Sequence, residues 1–412
     1  MSALTTALQP QAVPPPLSSE VRTTICAAAV AICTASFGPR LHSLILTGSL
    51  ARDEATILKR GTTKTLVGDA DFLVVLHQNV TDTNLSELHK IERSIEKLLF
   101  ETGISAHVGL GTVNPAFFDR LQPRSFTYEL KHSGEVLWGD AHILNRIPQY
   151  HPAHLSKEDA WRTLNHRTIE VLIAFAASDP NANCLPANLE YALIKLYLDL
   201  ATSYLIFVGR YQPTYAARAA ELRSLLKETG HLDPWLAHEG SVLQRISECT
   251  ERKITGKNLA ANDSSHFLEE AISYARQLWL WEALELSGSA QPLPLHALIG
   301  SLGRRQSISD RLRGWASLLR RVPRNTVPQN CPRWLILFWV ATPRYLTYAS
   351  AFELFCQIPQ LLGSAQPPHS ACSLDLVRQL LPVLPSDQPE NWLSLAEATA
   401  HSYRNLLLGT SS

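Results

Sequence analysis

Residues 44–76 read LILTGSLARDEATILKRGTTKTLVGDADFLVVL, and the rest of the chain is organised around them. An apolar strand, Leu44 to Leu46, runs into Gly48-Ser49. A second apolar run, Phe72 to Leu76, is introduced by Asp69-Ala70-Asp71. Side chains alternate faces along a strand, so Asp69 and Asp71 project from the same side. Two carboxylates at that spacing repel each other unless a cation sits between them. Magnesium suits the position, because it takes one or two carboxylates and completes its shell with water and substrate phosphates. Gly48 lets the backbone approach a ligand closely, and Ser49 offers a hydroxyl and an N–H at an expected helix start, an arrangement that binds anions. Phosphates at one end and a metal at the other point to nucleotide chemistry.

The chain has 412 residues, more than one core usually holds, so at least two domains are expected. Lys+Arg and Asp+Glu are equal at 37 each, which argues against nucleic acid as a partner. Seven cysteines are widely spaced without a C-x-x-C, which argues against a zinc site or a disulfide framework and for buried thiols in a cytoplasmic protein. No uninterrupted apolar run reaches roughly 18 residues, so no transmembrane helix is expected. Residues 23–37, TTICAAAVAICTASF, have the composition of a signal-peptide core. The stretch before them is long and Pro-rich with Arg22 as its one cation, so a packed helix is the reading adopted. The chain contains no G-x-S-x-G, Walker A, G-x-G-x-x-G or H-E-x-x-H motif.

Gly48-Ser49, then Ala51-Arg52-Asp53-Glu54, then Asp69-Ala70-Asp71-Phe72 resembles the nucleotidyltransferase superfamily of the DNA polymerase β type, in the form of a bacterial-type member with a helical C-terminal region. That signature is a Gly-Ser turn, often followed by Ala-Arg-Gly-Glu, then an Asp-x-Asp strand. Asp53 stands here where Gly is common, and Ser49 and Asp69 are further apart than in minimal members. The resemblance covers roughly residues 40–80, with weaker echoes to about 220.

The expected fold is α+β, a mixed sheet with flanking helices over 18–150, followed by an all-α region. Residues 1–17 are expected to be disordered. Helical regions should cover 151–290 and 291–412, the latter either separate from the former or continuous with it. Strands are expected at 42–47 and 104–113, and as a pair within 126–138 around Ser133-Gly134. Residues 59–68 read as an insertion before the Asp strand, and 84–102 has helical periodicity.

The resemblance implies Asp69 and Asp71 as magnesium ligands and catalytic groups, Gly48 and Ser49 as the triphosphate cradle, and Arg52 beside the nucleotide. A lysine from the second domain is expected on the phosphates, matched by type and context to Lys195. Otherwise Lys195 pairs with Glu190 or Asp199. Tyr215, with Tyr211 and Arg218, is assigned to nucleotide or acceptor contacts, and Arg167, in a helix whose apolar face polar residues interrupt, is a further candidate phosphate or acceptor contact. The superfamily adds a third carboxylate on a later strand. Strand 104–113 has none, so His107, and Glu129 on the next expected strand, are the candidate replacements. The expected activity is magnesium-dependent transfer of a nucleoside monophosphate from a nucleoside triphosphate to an unknown acceptor, a small molecule or a protein hydroxyl. The alternative is a protein that binds nucleotide or a protein partner without turnover.

Beyond residue 300 a basic stretch, 304–324, is followed by the apolar block WLILFWVA at 334–341. An ordinary core helix with a solvated Arg face is the preferred reading, with a membrane-surface contact through 304–341 as the other.

Overall fold

The computed structural model describes residues 11–12, 15–77, 85–178, 185–235, 237–256, 264–322, 327–363, 371–384 and 391–407. The chain forms two compact units. The first comprises Met1–Ser156, Val208–Ser224 and Leu243–Asn258, and the second comprises Lys157–Phe207, Leu225–Val242 and Leu259–Ser412. The units therefore interleave in sequence, and residues 208–224 and 243–258 fall with the sheet rather than with the helices expected after 151.

The first unit is built on a six-stranded sheet: β1 (Gln11–Ala12), β2 (Leu41–Thr47), β3 (Thr56–Arg60), β4 (Thr63–Leu76), β5 (Ile104–Val113) and β6 (Glu135–Gly139). The order is β1-β3-β4-β2-β6, with β5 on β4. Only the β4–β5 pairing is parallel, so the sheet is mixed. Its helices are α1 (Pro15–Phe37), α2 (Gly48–Ala51), α3 (Leu85–Glu101), α4 (Ala116–Asp119) and α5 (Ser125–Ser133).

Successive residues of β4 bury on opposite faces. Ala70, Phe72 and Val74 join Leu44, Leu46 and Val108 in a core covered by Val21, Ile25 and Cys33 of α1 and Ile91, Ile95 and Leu99 of α3. Leu73 and Val75 join Ile45, Phe118, Leu130, Ile143 and Ile147 on the other face. A strand covered on both sides reads as an unbroken apolar run, which is why 72–76 carries no polar residue. By parity Asp69 and Asp71 belong to the second face, where the strand emerges from its cover.

Several expectations are corrected. Residues 11–12 pair with β3 and the first helix starts at Pro15, where disorder was expected over 1–17; residues 1–10 and 13–14 lie outside the described residues. Ser18–Arg40 is long and apolar enough to cross a membrane by length and composition, but here its Val21–Cys33 face packs on the sheet. Residues 59–68 are no loop insertion. They close a hairpin in which Lys59 faces Lys64 across β3 and β4, and Gly61 turns at φ 58°. Residues 125–133 form a helix and not a strand. Phe126, Tyr128 and Leu130 alternate like a strand, but Thr127 and Leu130 bury together at helical i, i+3 spacing.

The second unit is helical: α6 (Lys157–Ala176), α7 (Ala187–Phe207), α10 (Ser264–Ser287), α11 (Leu295–Arg305), α12 (Ile308–Leu319), α13 (Val327–Val340), α14 (Pro343–Gly363), α15 (Ala371–Leu380) and α16 (Trp392–Leu407). The helices α8 (Tyr215–Thr229) and α9 (Glu239–Thr255) are each divided between the units. The centre is aromatic. Trp279 stacks on Phe352 at 3.8 Å, and its indole N–H donates to Asn165 Oδ1 at 2.8 Å. Residues 291–412 fall wholly within this unit.

Candidate functional site

The strand β4 changes partners in mid-course. Its first part pairs with β3 up to Val67, and its second pairs with β2 from Asp71. The β4–β5 register also shifts between Thr65 and Asp69, and Gly68 adopts φ 104° at this irregularity. Such a bulge re-aims the residues that follow it. Asp69 emerges exposed and Asp71 half-buried.

Asp71 lies opposite Thr47 on β2 and Gly109 on β5. Gly48 follows Thr47 at φ 71°, and a Cβ there would stand 2.6 Å from Asp71 Oδ2. A Cβ on Gly109 would stand 3.1 Å from Asp71 Oδ1. The Asp71 carboxylate is thus wedged between two positions that only glycine fills without displacement. Gly48 is required twice over, for its left-handed backbone and for this close approach. The helix α2 that follows is a single turn of 4 residues, too short for a macrodipole of any size. Anion binding at Gly48-Ser49 would therefore rest on individual N–H groups.

His107 is the register partner of Asp69. Its Nδ1 hydrogen-bonds Glu96 of α3 at 2.6 Å, and Glu96 also accepts the Val108 N–H at 3.0 Å. Glu92, one turn earlier, accepts the Leu110 N–H at 3.0 Å. These two carboxylates cover the outer edge of β5, satisfying N–H groups that an edge strand leaves open. The hydrogen bond to Glu96 raises the His107 pKa, slight burial opposes it, and the Asp69 charge adds to the rise. The imidazole therefore holds its proton more tightly than an ordinary histidine.

Glu129 is on α5 and sits inside a charged network. Its Oε1 accepts from Tyr211 Oη and Arg218 Nη2, and its Oε2 accepts from Arg52 Nη1. Arg52 Nε also reaches Glu54 at 3.3 Å, and Glu54 Oε1 accepts the Ala216 N–H at 3.1 Å. Arg218 is 2% exposed; it donates to Gln212 O at 2.7 Å and lies over the rings of Tyr211 and Tyr215. The Tyr215 ring also faces Arg52 at 5.3 Å. Two arginines thus face two glutamates, and their charges cancel. Burial works against the Arg52 charge, but Glu129, Tyr215 and Glu54 together outweigh it and raise the pKa. Burial pushes the Tyr211 phenol well above its usual range.

Three residues assigned to the site from the sequence lie within this network. Arg52, Glu129 and Tyr215 hold residues 211–218 on the sheet unit, with Tyr211 and Arg218 as their partners. Lys253 adds a parallel tie, its Nζ lying 3.2 Å from Thr56 Oγ1 of β3. Lys64, in the β3–β4 hairpin, ion-pairs with Glu20 at 2.8 Å.

Lys195 lies on α7 in the helical unit, its ammonium 4.9 Å from the Tyr191 ring. Arg167, in the same unit, is engaged by Asp199 at 2.7 Å and by Glu170. Burial raises the Glu170 carboxyl, but the hydrogen bond from His166 and the nearby cations outweigh it and hold the pKa at about 2.

Sequence reasoning missed Gly109 and Glu96. Two glycines at alternate positions of one strand, 109 and 111, were a legible sign of close backbone approach. Nothing in the sequence pairs Glu96 with His107. Among the described residues no group of three His, Cys, Asp or Glu side chains is placed to hold a metal ion. The donors here are the two aspartates, whose hard oxygens suit magnesium, an ion that needs one or two carboxylates. No family model, curated protein or solved structure matches the chain.

Proposed function

We propose that the sheet unit transfers a nucleoside monophosphate from a nucleoside triphosphate to a hydroxyl of a small molecule or protein, with magnesium held by Asp69 and Asp71. The supporting observation is the Asp71 carboxylate seated against Gly48 and Gly109, with Asp69 on the same strand face. The carboxylate and the Gly-Ser turn meet because both glycines lack a Cβ, as close packing of phosphate and metal ligands demands. Bound magnesium would neutralise phosphate charge. The Gly48 and Ser49 N–H groups hold phosphate oxygens. The acceptor oxygen attacks the α-phosphorus, the α–β bridging bond breaks, and pyrophosphate leaves. The hydroxyl proton passes to His107 Nε2, while the hydrogen bond from Nδ1 to Glu96 orients the ring.

A second reading is nucleotide binding without turnover. Gly109, and no acid, stands across β5 from Asp71, and Glu129 is consumed by its network.

The test is pyrophosphate release from a panel of nucleoside triphosphates with magnesium and an acceptor panel, alongside thermal stabilisation by the same nucleotides. The first reading expects both, and expects Asp69→Asn/Asp71→Asn to lower release at least roughly a thousandfold. Its stability should stay within about 1 kcal/mol of the parent, because Asp69 is exposed and Asn matches Asp71 in size and shape. Stabilisation without release supports the second reading. Neither effect in the parent protein would remove both.

A further inference from the structure

We propose that the α12–α13 face of the helical unit docks on an anionic lipid surface. Thirteen large apolar residues are exposed among the described residues, and six of them fall on these two helices: Ile308, Leu312, Leu319, Leu335, Ile336 and Trp339. Leu335 is 68%, Ile336 69% and Trp339 71% exposed. On α12 the positions 308, 312 and 319 share one helix face, and on α13 the positions 335, 336 and 339 share another.

The packed residues adjoin the exposed apolar strip on α12 and lie opposite it on α13. Trp315, Leu318, Trp334 and Leu337 are buried. The Trp315 indole N–H donates to Ala341 O at 3.1 Å, and that of Trp334 to Pro382 O at 2.6 Å. Arg311, itself buried, donates to Gly303 O and Trp339 O and so fastens α12 to α11 and α13. The exposed apolar residues are surplus to this packing: α12 carries an apolar face wider than its buried part, and α13 is apolar on both sides. A helix of that kind needs a second apolar environment.

Charge selects the occupant. Residues 291–344 contain nine arginines, one aspartate and neither Lys nor Glu, whereas the whole chain is balanced at 37 and 37. Arg304, Arg305, Arg313 and Arg320 are exposed. A second copy seated face to face would bring this positive patch against itself. A nucleic-acid backbone would satisfy the arginines but leave the aliphatic and indole groups in water. An anionic bilayer accepts both: the side chains enter the acyl boundary without a complementary shape, and the guanidinium groups sit at the phosphate level. The exposed Trp339 suits the same depth.

Sedimentation of the full chain with sucrose-loaded vesicles tests this. The protein should pellet with phosphatidylcholine containing about one-third phosphatidylglycerol, at least roughly tenfold more strongly than with phosphatidylcholine alone, and less so as salt rises. Ile336→Ser/Trp339→Ser should lose roughly tenfold or more of the binding while circular dichroism and Tm hold, since both residues are exposed. Arg304→Gln/Arg320→Gln should lose roughly twentyfold on the anionic vesicles. Equal binding to both vesicles, no binding to either, or full binding by the Ser variant overturns the proposal. A dimer in ultracentrifugation that the Ser variant abolishes, without vesicle binding, also overturns it and assigns the face to a second copy.

Discussion

Two pairs of acids in the sheet unit are used in opposite ways. Glu54 and Glu129 are met by Arg52, Arg218, Tyr211 and the Ala216 N–H, and they join chain segments far apart in sequence. Asp69 and Asp71 come from one strand, the first exposed and the second set against glycine backbone. The first pair spends its charge on holding residues 211–218 in place. The second stands where β4 changes partners, Asp69 exposed and Asp71 half-buried between two glycines. A carboxylate's surroundings, more than its presence near a motif, separate framework from candidate chemistry.

Breaking the first pair should produce the largest change in stability. Glu129→Ala leaves Arg52 and Arg218 beside each other with their shared carboxylate gone. Losing one partner of a buried charge network costs about 3–5 kcal/mol, because the remaining charges stay desolvated. Urea unfolding should register that loss, and Tm should fall by roughly 10 °C. Glu129→Gln keeps hydrogen-bonding capacity but not the charge, so its cost should fall between the parent and the Ala variant. If Glu129→Ala leaves Tm unchanged while abolishing activity, Glu129 belongs with the aspartates and the contrast between the two pairs fails.

The second contrast is kinetic. His107→Asn should lower pyrophosphate release about a hundredfold, the usual worth of a positioned base, with Tm held. The base acts only when neutral, and its pKa is raised above 6.5 by Glu96 and by Asp69. Activity should therefore fall as pH drops through that raised value. Removing the hydrogen bond in Glu96→Gln should move this acid limb to lower pH. A limb that stays put in Glu96→Gln would show that another group takes the proton.

Local features of this unit were legible in the sequence and distant ones were not. The alternation of β4 put Asp69 and Asp71 on one face, and β5 spans the expected 104–113. The apolar spacing of Leu88, Ile91, Ile95 and Leu99 marked α3 within 84–102. What failed was long-range. Glu129 meets Arg52 from 77 residues away and Arg218 from 89, so no window of sequence could show that these groups satisfy one another. The helix α5 failed for a different reason. Its Phe126, Tyr128 and Leu130 follow a strand period by accident, and tertiary burial of Thr127 with Leu130 decided the matter.

The smallest expected effect lies at Asp53, between the two pairs. Its neighbour Arg52 is nearly buried in the network, whereas the Asp53 side chain is 78% exposed and 3.5 Å from Arg22. Asp53 has φ 56°, the described non-glycine residue in the left-handed region, which is the backbone reason for Gly at this place in the motif that the sequence resembles. Asp tolerates this conformation better than most residues, through local hydrogen bonding of its short side chain. Replacing it with Gly relieves the remaining strain but gives the unfolded chain more freedom, and the two effects oppose each other. Asp53→Gly should thus change stability by less than about 0.5 kcal/mol, the ordinary range for a surface position. Asp53→Val, which cannot adopt positive φ without a clash, should cost about 1–2 kcal/mol. Urea midpoints for the two variants separate backbone strain from side-chain charge. A Gly variant as damaging as Val would mean that the carboxylate, through Arg22, contributes more than its exposure allows.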